Sequence, residues 1–394
     1  MENKKILTTS WHPSATNMLI PVLNILQKQK ELDISIIGTK YSNRVFEKNG
    51  FSYLPIESYG LKNFAEANME KILLKENPDL VLLGASFQEV QSGERYIPDQ
   101  TMINAARRQG IPSITIHDYW RDMAKYTNKI TGRIEFIPDA IAVFDSYAKK
   151  KLIEAGLPEQ VIKITGNPEA DILKQTKENF SDTRKYELKK VFDIKVQDVF
   201  LYCGGVEWNK NKSKLGYTTL DNIKIITDSL KDIGRDDLNV IVTLHPRMAQ
   251  NDESGMRDVL NHLKNCGDSR IKYIDQVYEK GFTMEELALA SNAVFTAFST
   301  VAIKGAWMGK PCMSLQPNLI LPNDFTDGEI GFFLDHSNVI PLGKNYKEAK
   351  DLVIKMFTDK KLISDLEKSL VNCPDMTLQS GSQGIMDLIK ENIN

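Results

Sequence analysis

Short apolar runs alternating with longer amphipathic stretches organise the first part of this chain. Residues 6–9, 34–39, 80–84, 113–116 and 140–144 have the character of buried strands, with a weaker run at 51–54. Between them, residues 18–29 carry apolar positions at helical spacing, one helix ends near Asn77-Pro78-Asp79, and another covers 101–109. Continuous apolar strands separated by helices predict a parallel sheet with helices on both faces. The turn Gly166-Asn167-Pro168 interrupts the pattern, and residues 172–197, polar and rich in Lys and Glu, read as a connection. A second series follows: 199–203 runs into Gly204-Gly205, 239–244 runs into His245-Pro246-Arg247, and 271–274 and 293–298 come next. Helical patterns at 347–357, 361–370 and 382–391 close the chain. The expected fold class is α/β: two tandem Rossmann-like, doubly wound domains facing a central cleft. Their expected bounds are 1–171 and 198–394, with 172–197 as linker and the C-terminal helices assigned to the second domain. Ligands of such sheets bind outside the carboxyl ends of the strands.

Length and charge are consistent with this division and remove several function classes. At 394 residues the chain exceeds one core of ordinary size, and its hydrophobic fraction of 42% is that of a soluble protein. A formal net charge of −2 gives no electrostatic reason for nucleic acid as a partner. No run is long enough to span a bilayer, so at most peripheral membrane contact is expected. Residues 1–5 lead directly into a strand rather than a signal peptide, and Cys203, Cys266, Cys312 and Cys373 are scattered without metal-ligand spacing. A cytoplasmic location is the expectation.

Candidate chemistry sits at the predicted strand ends. In the first half, His12 follows the first strand, where a neutral imidazole can act as general base or donate to an anion. Glu94 and Arg95 follow the strand 80–84 by a short loop and read either as an ion pair or as substrate-positioning groups. Asp118, directly after the strand 113–116, is the leading carboxylate candidate. Tyr119 and Trp120 offer a flat apolar wall for a sugar, or ordinary core packing.

The second half offers anion donors at three strand ends. Gly205 permits close approach of backbone to a ligand. His245 and Arg247 straddle a proline, and the arginine brings a planar fork of donors with permanent charge. Ser299 and Thr300 open a helix that stops at Gly309, and the amides of a helix N-terminus favour an anion. Together these residues point to a phosphate-bearing ligand. No Gly-x-Gly-x-x-Gly follows the first strand, no P-loop is present, and no His/Cys/Asp cluster has metal-ligand spacing. Neither a dinucleotide, a metal nor any other cofactor is called for.

The stretch 139–148, Gly156-Leu157-Pro158, Gly166-Asn167-Pro168, the His245-Pro246-Arg247 turn and the unit 299–311 together resemble the GT-B-type superfamily. That group includes bacterial sugar-nucleotide glycosyltransferases, glycerophosphotransferases of cell-wall polymers and UDP-N-acetylglucosamine 2-epimerases. The resemblance covers most of the chain and implies a sugar nucleotide held by the second domain through Gly205, His245, Arg247, Ser299 and Thr300. Two departures stand out. Lys304 occupies the place where many relatives carry an acidic residue that binds the ribose, so a cation there meets a phosphate or an acidic sugar, or alters donor binding. His117-Asp118-Tyr119-Trp120 replaces the His-Val-Glu-Ala-Gly-like stretch typical of the epimerases. The leading expectation is a transferase moving a sugar or polyol phosphate from a nucleotide donor to a glycan, lipid-linked or protein acceptor in surface polysaccharide or glycoconjugate synthesis. His12 or Asp118 would serve as base, with Glu94 or Arg95 in positioning roles. A UDP-sugar 2-epimerase and a non-catalytic sugar-nucleotide-binding protein are the alternatives.

Overall fold

The computed structural model describes residues 3–393 except 12, 40–41, 62–63, 85–88, 92–93, 121–122, 206, 208, 210–211, 246, 249–253, 275–276 and 321–327. Its contacts divide the chain into two compact units, Met1–Ile172 with Leu378–Asn394, and Leu173–Thr377.

The strands of the first unit are β1 (Lys4–Thr9), β2 (Leu32–Gly38), β3 (Leu54–Pro55), β4 (Leu80–Gly84), β5 (Glu89–Gln91), β6 (Glu94–Tyr96), β7 (Ser113–Ile116), β8 (Ala140–Val143) and β9 (Ile162–Ile164). Seven of them form one parallel sheet in the order β3-β2-β1-β4-β7-β8-β9, while β5 and β6 make a separate antiparallel hairpin. Alternation along each strand fills both faces. Ile6, Leu82 and Ile114 join one core with Leu19 and Leu23 of the helix Pro13–Leu26. Leu7, Val81 and Leu83 join another with Met69, Ile72 and Leu73 of the helix Glu66–Glu76. The chain builds outward from β1 to β3, then returns to place β4 on the other side of β1. Ligand crevices form at such a switch point.

The C-terminal helix departs from the expectation that residues 198–394 form the second domain. Helix Gly381–Asn392 packs on Pro13–Leu26, and its Ile385, Met386, Leu388 and Ile389 complete the first unit's core. Two glycines permit the approach. A Cβ on Gly384 would lie 2.3 Å from the Thr165 carbonyl oxygen, and one on Gly381 would lie 2.3 Å from the Asn167 carbonyl carbon. The stretch 172–197 is largely helical, as Pro168–Asn179 and Asp182–Val191. Arg184 anchors the latter helix within the second unit through Glu286, Nε to Oε1 2.6 Å.

The second unit's strands are β10 (Asp198–Cys203), β11 (Leu238–Thr243), β12 (Ile271–Tyr273), β13 (Ala293–Thr296), β14 (Cys312–Leu315) and β15 (Leu342–Gly343). They form a parallel sheet in the order β12-β11-β10-β13-β14-β15. Phe200 and Phe295 stack at 5.7 Å, and Phe357 meets Phe200 edge-on at 4.8 Å. The helix Thr219–Ile233 covers this face and starts from a capping box of Thr218 and Asp221. The switch point here lies between β10 and β13, which ends at Thr296 rather than at the expected 298. Among the described residues no helix is long and apolar enough to cross a membrane.

Candidate functional site

Three of the predicted strand ends lie on adjacent strands of the second sheet. Cys203 at the end of β10 pairs with Thr243 at the end of β11 and with Thr296 at the end of β13, so the chain leaves all three at one level. Side chains tie this edge together. Thr243 Oγ1 donates to the Tyr202 carbonyl at 3.2 Å, and Thr296 Oγ1 donates to the Cys203 carbonyl at 2.9 Å. Gly204 N donates to the Thr243 carbonyl at 2.9 Å. Gly205, His245, Arg247, Ser299 and Thr300 therefore emerge from one sheet edge, as the sequence pattern implied.

After β11, the main-chain N–H of Arg247 donates to Nδ1 of His245 at 3.2 Å. A neutral imidazole that accepts at Nδ1 carries its proton on Nε2, the form that donates to an anion. Burial, and then the Arg247 guanidinium, hold His245 below the usual imidazole range. The Arg247 side chain is exposed. Beyond β13, Ser299 is the N-cap of the helix Thr300–Trp307, and its Oγ accepts from Val301 N at 3.3 Å. Thr300, the first helical residue, is exposed, and Gly309 ends the segment in the left-handed region with φ 85°. Lys304 lies one turn into this helix, with Nζ 3.5 Å from Oε1 of Glu285. The cation at the place of the expected ribose-binding acid thus has an internal carboxylate partner.

The turn after β10 holds a residue that the sequence did not single out. Glu207 is fully buried, and its Oε2 accepts from the Gly205 amide at 2.8 Å. Thr219 N donates to the Glu207 carbonyl at 2.8 Å, and Thr219 Oγ1 lies 3.3 Å from Oε2. Burial pushes the Glu207 carboxyl up to about 7. The amide that Gly205 was expected to offer a ligand is engaged by a side chain.

In the first unit, Asp118 follows β7 and forms an ion pair with Lys125, in which both side chains are largely buried. The expected free carboxylate is thus held by a cation seven residues on, in the short 3-10 turn Met123–Lys125. Beside it, His117 is fully buried with Nδ1 3.0 Å from the Tyr126 hydroxyl, and burial followed by the Lys125 charge holds its pKa well down. Trp120 belongs to the core: it is buried, donates Nε1–H to Asp145 at 3.2 Å and meets Phe144 edge-on at 5.2 Å. Tyr119 is only half-buried. Glu94 and Arg95 lie on β6, opposite Gln91 and Val90 of β5. His12 lies outside the described residues.

The chain matches no protein-family model and no curated protein sequence. It is similar in structure to the UDP-GlcNAc 2-epimerase from Neisseria meningitidis bound to UDP-GlcNAc, with a TM-score of 0.68, 15% identity, and 98% of this chain and 100% of that one covered. A glycosyltransferase from Rickettsia africae ESF-5 is similar over 100% of both chains, with a TM-score of 0.64 and 13% identity. HepE of Anabaena in complex with UDP aligns with 98% of this chain and 100% of its own, with a TM-score of 0.65 and 11% identity.

Proposed function

We propose that this chain, which has the two-domain α/β fold of the GT-B type, is an enzyme acting on a nucleotide-activated sugar. The observation that carries the reading is the placement of His245, Arg247 and the Ser299-capped helix along one sheet edge, after β11 and β13, the two strands on either side of β10. Arg247 supplies fixed charge, His245 a neutral ring with its proton on Nε2, and the helix its N-terminal dipole. A diphosphate is the ligand that uses all three.

Transfer is the reaction this reading favours. An acceptor hydroxyl oxygen forms the new bond to the sugar's anomeric carbon. The bond to the phosphate oxygen breaks, and the nucleotide diphosphate leaves with the electron pair. Donors fixed in advance around that phosphate stabilise the growing charge more than they stabilise the bound donor. The first unit would carry the acceptor, a glycan, lipid-linked or protein hydroxyl, with His12 taking its proton and Glu94 positioning it; the ion pair with Lys125 argues against Asp118 as that base. The nucleotide sugar is the substrate, and no cofactor is called for.

Epimerisation at C2 of a UDP-sugar is the second reading, favoured by the full-length likeness to UDP-GlcNAc 2-epimerases. Against it, Tyr119 stands where the stretch typical of those enzymes has its glutamate. Incubation of the chain with UDP-GlcNAc alone, followed by proton NMR of the sugar, separates the two. A C2 epimer formed without acceptor supports epimerisation. UDP release that depends on an added acceptor supports transfer.

A further inference from the structure

Glu207 is an unusual neighbour for a phosphate. It lies two residues beyond the Gly204-Gly205 turn, at the sheet edge that carries His245, Arg247 and Ser299, and Oε2 already accepts the Gly205 amide at 2.8 Å. A Cβ on Gly205 would sit 3.1 Å from that same oxygen, so the carboxyl is pressed against the turn. Among the described residues its other oxygen, Oε1, is buried without a hydrogen-bond partner. A buried carboxylate needs a cation or several donors; among the described residues Glu207 is held by backbone N–H groups and the Thr219 hydroxyl, with no cation acting on it. The site is therefore half-satisfied, with an internal carboxyl in the place of an external anion.

We infer, building on the nucleotide-sugar reading, that Glu207 is a resident competitor for the Gly205 amide, so that a donor's diphosphate gains this edge of the sheet only when the carboxyl is neutral or has turned away. A charged Glu207 opposes the diphosphate twice, by holding the amide and by like-charge repulsion. A neutral Glu207 adds no repulsion and holds the amide only through an uncharged oxygen, which a diphosphate displaces more readily.

The described groups around Glu207 differ from it in how burial acts on them. On β10, burial holds the Tyr202 phenol well up and raises the Cys203 thiol to about 12, so both stay uncharged. On the helix Thr219–Ile233, Thr219 and Asn222 do not titrate, and Asp221 at its start is engaged by Thr218 and lies 3.6 Å from Lys212. After β11, burial and the Arg247 guanidinium hold His245 below the usual imidazole range. The Glu207 carboxyl, pushed up to about 7 by burial, changes charge around neutrality.

The test is calorimetric titration of UDP-GlcNAc into the full chain and into Glu207→Gln between pH 6 and pH 8 at constant ionic strength. This probe is esterified at both ends of its diphosphate, so its own charge is constant over that range. The neutral fraction of a group titrating at about 7 falls from roughly 0.9 to roughly 0.1, so wild-type affinity is expected to drop about tenfold from pH 6 to pH 8. Glu207→Gln keeps an acceptor for Gly205 without the charge, and is expected to bind at pH 8 as tightly as the wild type does at pH 6. Equal affinity of the wild type at both ends of the range overturns this inference and leaves the nucleotide-sugar reading standing. An identical slope in both proteins does the same. Absence of binding by both at every pH removes the nucleotide-sugar reading and this inference with it.

Discussion

Replacing Glu207 by Gln should stabilise the second unit, increasingly so as pH rises. The carboxyl is fully buried, and burial raises its pKa from 4.5 to about 7. Below 4.5 both folded and unfolded chains hold the proton, so the acid imposes no electrostatic cost. Between 4.5 and 7 the unfolded chain has lost the proton while the folded chain keeps it, so stability falls with rising pH and levels off above 7. At about 1.4 kcal/mol for each pH unit of difference, integration from pH 5 to pH 8 gives a loss of about 2.5 kcal/mol in the wild type. The substituted glutamine does not titrate, so the variant lacks this component while every other group contributes equally to both proteins. Urea unfolding of the two proteins at pH 5, 6, 7 and 8 reads the difference directly. Because the chain has two units, the comparison is made on the transition that shifts between the proteins. A gap of about 2 kcal/mol or more opening from pH 5 to pH 8 is expected from the linkage. A pH-independent gap would mean that Glu207 titrates like an exposed carboxylate, and the buried-acid reasoning would be wrong.

Three further outcomes follow from the geometry. Arg247→Ala should weaken UDP binding roughly tenfold to a hundredfold, the range for a lost charge-assisted hydrogen bond, with an unchanged melting temperature because the side chain is exposed; calorimetry and a thermal melt check both halves. Lys125→Met, which leaves Asp118 buried and unpaired, should cost about 3–5 kcal/mol in urea unfolding, and adding Asp118→Leu should recover much of it. Gly384→Ala should destabilise the first unit by about 2 kcal/mol or more, because its Cβ meets the Thr165 carbonyl oxygen at 2.3 Å; a melt in which the first unit unfolds at the wild-type temperature would contradict the tight docking of the C-terminal helix.

Strands β10, β11 and β13 of the second sheet were legible because they are buried and read as apolar runs, each ending in a turn. His245, Arg247 and Ser299 stood out for that reason, and the strand order places them along one sheet edge, on either side of β10. The residues that escaped depend on partners remote in sequence. Glu207 looks like an ordinary loop acid until the helix Thr219–Ile233 folds over it and removes it from water. Lys125 follows Asp118 through an irregular segment with no periodicity to pair them. The helix Gly381–Asn392 showed an apolar face in the sequence, but a face does not name what covers it; the close approach of Gly381 and Gly384 to the segment 165–168 shows only in the fold. Strands β9 and β15 are too short for an alternating pattern to register.

The most direct measurement of the central claim is titration of UDP and UDP-GlcNAc into the wild-type chain and into Arg247→Ala, followed by calorimetry. Saturable binding by the wild type, weakened in a variant that melts at the same temperature, is the predicted result. Binding that is absent from the wild type, or undiminished in Arg247→Ala, would contradict a diphosphate site at the ends of β10, β11 and β13.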